Sequence, residues 1–225
     1  MKAKLGFIIF LACLLSTGLF AQDNTQFGIS YGYTNQQFKF FIGDFNETND
    51  GIWFDRQRLH GFSFGLNLHS YWKQGYSDDY SLGIFWGCYM ELYHSKNKSS
   101  LSYNAQSYDE AYDDYTELDF QMPLHFSIQY LIDEDYIAIG AHVGPGMTVA
   151  ALGEFSDSRK YYDSFNILKD ELKAFNLTFD FALSLLLYPL RIDVQWDRGL
   201  LNVMDFDFYD KGIRNKFSVK AAWVF

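Results

Sequence analysis

Residues 116–132 read TELDFQMPLHFSIQYLI, with an apolar side chain at each even position from Leu118: Phe120, Met122, Leu124, Phe126, Ile128, Tyr130 and Ile132. The odd positions carry Glu117, Asp119, Gln121, Pro123, His125, Ser127 and Gln129. A period of two means an extended strand with one apolar and one polar face. The same period recurs over about 27–42, 59–72, 80–93, 136–151, 173–187, 190–197 and 213–225, which predicts an all-β chain of eight strands. A phase slip near Asn35 predicts a bulge in the first strand, and GPG at 144–146 predicts a bulge or kink in the fifth.

The connections alternate in length. Long polar segments cover about 43–58, 94–115, 152–172 and 198–212, while short ones cover 73–79, 133–135 and the Tyr188-Pro189 corner. An outer-membrane barrel sorts its connections this way, with loops outside the cell and turns in the periplasm. The expected fold is an eight-stranded antiparallel up-and-down transmembrane β-barrel.

The alternative polarity, a soluble lipocalin-like ligand-binding barrel, would place the apolar face inside. The polar face argues for apolar-out. Glu91, Glu117, Asp119, Asp180, Asp193 and Asp197 lie on it with Arg191, Arg214, Lys216 and Lys220, interspersed with glycines and serines. His125 and His142 share that face. Charges of both signs can pair in a lumen only just wide enough for side chains. Strands of about 13 residues, tilted by about 45°, also suffice to cross an outer membrane. Trp72, Trp86, Trp196 and Trp223 are candidates for interfacial girdles, and the alternation Phe217, Val219, Ala221, Trp223, Phe225 resembles the terminal signal that barrels present to their assembly machinery.

Composition narrows the setting. Residues 1–21 have Lys2 and Lys4 before an apolar run and Ala21 at its end, the pattern of a cleaved secretory signal, leaving 22–225 as one barrel domain. Leu19 departs from the usual small residue, and Cys13 lies in a poor lipobox. Without Lys2 and Lys4 the chain keeps 16 basic and 28 acidic residues, a net charge of −12, which excludes a nucleic-acid footprint. Cys88 alone remains beyond residue 21, so there is no internal disulfide.

The FAQ ending of the leader, FGISYGY, PLHFSIQY, IAIGAHVGPG and the aromatic terminus together resemble the PorT-like outer-membrane β-barrel proteins of the Bacteroidetes, over about residues 27–225. The resemblance implies an eight-stranded outer-membrane barrel. Its namesake is needed for a protein-secretion system that exports proteases, and many relatives have no assigned role. No catalytic residues carry over.

Some small membrane barrels modify lipid A with His, Ser and an acid. His125 and Ser127 share a strand face here, with His69 and His142 on nearby polar faces. The simpler reading makes them hydrogen-bonded parts of a lumen network. Acidic stretches stand at 108–115 (YDEAYDDY), at 205–210 (DFDFYD), and at Asp44, Glu47, Asp50 and Asp55. They lack the spacing of a Ca²⁺ loop and read as a solvated anionic rim. Tyrosines offer an apolar body with a polar tip, so Tyr108, Asp109, Tyr112, Asp113, Asp114 and Tyr115 are expected partner contacts. The expectation is a non-enzymatic outer-membrane protein without cofactor or metal, acting through its extracellular loops as an envelope or secretion accessory. Its expected partners are membrane lipid and lipopolysaccharide, the barrel-assembly machinery and a secretion-system or surface protein. The enzymatic alternative is lipid A modification.

Overall fold

A computed structural model describes residues 25–42, 52–73, 79–99, 102–103, 106–107, 111–133, 137–157, 165–166, 174–201 and 211–225. The leader expected at 1–21 lies outside these. Eight long strands are present: β1 (Thr25–Ile42), β2 (Ile52–Lys73), β3 (Tyr80–Ser99), β4 (Ala111–Asp133), β5 (Ile137–Asp157), β6 (Phe175–Leu187), β7 (Leu190–Gly199) and β8 (Lys211–Val224). Short bridges at Ser102–Tyr103, Gln106–Ser107 and Phe165–Asn166 lie toward the loop end, and no helix occurs among the described residues. Every long strand pairs antiparallel with its chain neighbour, and β8 pairs with β1. The sheet therefore closes into an eight-stranded antiparallel barrel without an open edge between its walls.

The stagger of the barrel follows from its register. From Thr25 the partners run through Ser70, Ile84, Phe126, Val143, Phe181, Trp196 and Phe217, and return to β1 at Asn35, ten residues further on. With ~3.3 Å per residue and ~4.8 Å between strands, that stagger tilts the strands by roughly 41°. At this tilt Phe175–Leu187 rises roughly 30 Å, the thickness of a bilayer's hydrocarbon core.

Polarity is inverted relative to a soluble protein. Phe126 is 71% exposed, whereas Glu91, Glu117, Asp119 and Asp180 are each at 0%. On β6 the burial alternates without error from Phe175 to Leu183, with Phe and Leu outward and Asn176, Thr178, Asp180 and Ala182 inward. An exposed face of this extent and composition requires a nonpolar solvent. The chain thus has the organisation of a membrane-spanning barrel.

Three details differ from the sequence reading. The irregularity expected near Asn35 falls at Gln37/Phe38, and the extra residue, Gln57, belongs to β2; β1 pairs with β8 unbroken from Gly28 to Phe41. GPG 144–146 introduces no bulge, since the β5–β6 register runs unchanged from Ile137 to Val149. Pro145 faces outward there, and a proline is tolerated where no ladder donor is required. The bulge on β5 sits instead at Ala151, where Leu118 and Asp119 of β4 pair with Leu152 and Ala150. Finally, β2 to β5 extend well past their apolar stretches, into segments expected to be loop. The ladder of 96–99 against 111–114 carries the β3–β4 pairing on into polar sequence that does not alternate.

Candidate functional site

The lumen collects the charges. Six carboxylates (Glu91, Glu117, Asp119, Asp180, Asp193, Asp197) and four cations (Arg191, Arg214, Lys216, Lys220) are buried in it, together with His69, His125 and His142. Buried ions persist only where pairing and hydrogen bonds offset desolvation, and here they form three linked clusters.

Toward the loop end, Arg214 Nη1 donates to Glu117 Oε1 at 2.5 Å and lies 3.9 Å from Asp119 Oδ2. Gln36 Nε2 reaches Glu117 Oε2 at 3.5 Å. Tyr93 donates its hydroxyl to Glu91 Oε2 at 2.8 Å and contacts Thr34 Oγ1 at 3.1 Å.

In the middle, Lys216 Nζ bridges Glu91 Oε2 (2.9 Å) and Asp197 Oδ2 (3.0 Å). Asp197 also accepts from Gln121 Nε2 at 2.8 Å and Gln195 Nε2 at 2.6 Å. Lys220 Nζ lies 3.7 Å from the centre of the Tyr89 ring and donates to Gln121 and Gln195. Glycines make room for this ring: a Cβ on Gly87 would lie 2.5 Å from Tyr89 Cε2, and Gly65 faces the same ring from β2.

At the turn end, Arg191 Nε donates to both Asp193 oxygens, at 3.1 and 3.0 Å, and its Nη2 to Asn67 Oδ1 at 2.6 Å. His69 and His142 pack with ring centres 4.7 Å apart around Phe85, and His69 Nδ1 is hydrogen-bonded to the Tyr71 hydroxyl. His125 Nε2 pairs with Asp180 Oδ2 at 3.2 Å. Beneath these, Ala138, Leu186 and Val224 form an apolar cluster.

All twelve charged or histidine residues placed on the polar face by the sequence are buried in the lumen, distributed over these clusters. Parity in the sequence also places Phe85, Tyr89 and Tyr93 inside, although their aromatic character disguises them among the outward apolar residues of β3.

His125 and Ser127 do not pair with each other. Ser127 Oγ contacts His142 Nδ1 at 2.9 Å, and Asp180 is bound to His125. His142 Nε2 has no hydrogen-bond partner, so no acid orients this imidazole as a catalytic triad requires. Behind the pair, on the lipid-facing side, Ala141 floors an apolar hollow of about 390 Å³ walled by Leu82, Phe126, Ile128, Val143 and Phe181. Among the described residues, no three His, Cys, Asp or Glu side chains converge as metal ligands would.

Of the expected partner contacts, Tyr108 and Asp109 lie outside the described residues, as do Asp44, Glu47, Asp50 and the 205–210 segment. Tyr112 to Tyr115 belong to β4 rather than to a loop. Their backbones pair with Lys98, Asn97, Lys96 and Ser95 of β3, because the hairpin ladder continues beyond the apolar belt.

No family model matches the chain, and no curated protein matches it. Among solved structures it is similar to Ail, the attachment invasion locus protein of Yersinia pestis (14% identity, 90% of this chain and 99% of that one, TM-score 0.43). It is also similar to the outer membrane protease OmpT of Escherichia coli (12%, 92% and 98%, TM-score 0.45). The outer membrane enzyme PagL gives 10%, 88% and 98%, with a TM-score of 0.39. The likeness is one of general barrel form, and no residue role carries across it.

Proposed function

We propose that the chain is an integral protein of a bacterial outer membrane that acts without catalysis through its extracellular side, as an accessory to envelope organisation or protein secretion. One observation carries this reading: the exposed face is apolar while the lumen is crossed by clusters of paired charges. Such a barrel presents lipid with a surface and keeps its interior for its own packing. The long connections at one end, 43–51, 100–110, 158–174 and 200–210, are what it offers a partner outside the bilayer. The secretion role additionally draws on the resemblance to PorT-like proteins noted in the sequence.

Location is tested by heat modifiability. In the detergent-extracted outer-membrane fraction the unboiled chain migrates apart from the boiled one, because a closed barrel resists SDS until heated. An unshifted, soluble periplasmic protein overturns the reading. The role is tested by a photo-crosslinker at Tyr108 together with a comparison of secreted proteins in a gene deletion. A secretome and crosslink pattern identical to controls removes the accessory role. A lipid A mass that changes with the gene, and reverts on Ser127→Ala, replaces it with the enzymatic one.

A further inference from the structure

The outward face changes character at one register row near the loop end. Tyr33, Phe62, Leu92 and Leu118 pair across β1 to β4 as an apolar row. The next outward row in the same four strands is Asn35, His60, His94 and Thr116, also in register. Arg58 follows on β2, opposite Gln37 of β1, and is exposed. One register step further along these strands, Lys96 of β3 pairs with Asp114 of β4 and Lys39 of β1 with Asp55 of β2, each acid set opposite a base.

Hydrogen bonds fix what this row displays. His60 Nδ1 lies 3.1 Å from Asn35 Nδ2 and 2.5 Å from the Tyr33 hydroxyl. An amide NH₂ can only donate, so His60 Nδ1 accepts and the ring proton sits on Nε2. His94 Nδ1 is held at 3.2 Å by Thr116 Oγ1, whose hydroxyl can donate in the same sense. The His60 ring thereby carries its proton on Nε2, and a hydroxyl donated by Thr116 gives His94 the same tautomer. The two imidazoles stand on adjacent strands at directly opposed positions, where Cβ atoms are ~5 Å apart, and Arg58 is two residues along the same face, ~7 Å away.

We propose that Arg58, His60 and His94 form a binding site for the phosphate of a phosphorylated lipid A head group in the outer leaflet. A guanidinium and two imidazoles stand at neighbouring register positions of one exposed face, and they suit a phosphate's several acceptor oxygens. The site lies one step beyond the apolar row, so a lipid whose chains cover Phe62 and Leu92 carries its head group to it. Asn35 and Tyr33 act as positioning residues by holding His60 Nδ1, and Thr116 does so by holding His94 Nδ1. The inference rests on the outer-membrane reading above and adds to it a ligand class and a place.

The test uses the full chain in detergent micelles, first confirmed as folded by its heat-dependent gel shift. Native mass spectrometry then compares retention of bis-phosphorylated lipid A with its dephosphorylated form. The native chain is expected to prefer the phosphorylated lipid by about tenfold. The triple variant Arg58→Gln/His60→Gln/His94→Gln brings the preference close to parity. Arg198→Gln, which removes the exposed arginine of β7, leaves the preference unchanged. Arg58→Lys keeps the charge and is expected to retain most of the preference, which separates binding from any folding defect of the triple variant. Equal retention of the two lipids by the native chain overturns the site. So does an unaltered preference in the triple variant, an equal loss in Arg198→Gln, or binding of inorganic phosphate without lipid preference. A chain with no heat-dependent shift fails earlier, on the membrane reading itself.

Discussion

Lys216 shows what a single buried charge is worth in this lumen. It is the shared partner of Glu91 and Asp197, and the described lumen holds two more carboxylates than fixed cations. Lys216→Met takes the bridging cation from two buried carboxylates, which keep only their neutral donors and the more distant Lys220, and is expected to cost about 3 kcal/mol in urea unfolding from micelles. Adding Glu91→Gln should recover part of this loss, because a neutral amide no longer needs the ammonium; strictly additive losses would show that the pair is not coupled. Sterics give the parallel case at Gly87, whose missing side chain admits the Tyr89 ring. Gly87→Ala is expected to destabilise by about 1–3 kcal/mol in the same assay, and Gly87→Ala/Tyr89→Ala to lose less than the two single changes together. Parity alone made much of this legible: Glu91, Lys216 and Arg191 share the inward phase of their strands. Which acid meets which base was not legible, because partners such as Glu91 and Lys216 are 125 residues apart and are joined only by barrel closure.

Strand limits are legible in the sequence where the strands face lipid and illegible where they leave it. The alternation of 173–187 matched β6 almost to its ends, since a bilayer enforces it at every position. Beyond the apolar belt the sequence stops alternating, so β3 continues to Ser99 and β4 begins at Ala111 with no periodic signal. The bulges have no local signal for a related reason. Gly and Pro at 144–146 are locally suggestive, whereas the insertions at Gln57 and Ala151 are defined only by their partner strands. The same contrast in environment predicts a depth dependence. Leu183→Arg in mid-belt on β6 should destabilise by about 2–4 kcal/mol, while Leu152→Arg near the loop end of β5 should cost at most about 1 kcal/mol, both by reversible unfolding in lipid. Equal costs would mean that the apolar face does not lie in hydrocarbon.

The whole molecule is a closed wall with a filled interior, and the two properties have one origin. Eight strands with a stagger of ten residues give a backbone radius of roughly 8 Å, which inward side chains can close. This chain uses long ones, among them Tyr89, Tyr93, Arg191 and Lys220, all at most 2% exposed, and sets glycines beside the bulkiest. An open diffusion pore is therefore not expected, and vesicles holding the native protein should show neither steady conductance nor sugar-driven swelling. Tyr89 and Lys220 stack in the middle of the lumen, so Tyr89→Ala/Lys220→Ala removes a central constriction while leaving the Lys216 bridge to Glu91 and Asp197 in place. Discrete conductance events are expected from this variant in planar bilayers, with the heat-dependent gel shift retained. Conductance already present in the native chain would make the lumen a permeation path, and its charged clusters a selectivity device. A silent variant that keeps its gel shift would place the seal elsewhere along the barrel, at the Phe85–histidine cluster or the Ala138, Leu186 and Val224 plug toward the periplasmic turns.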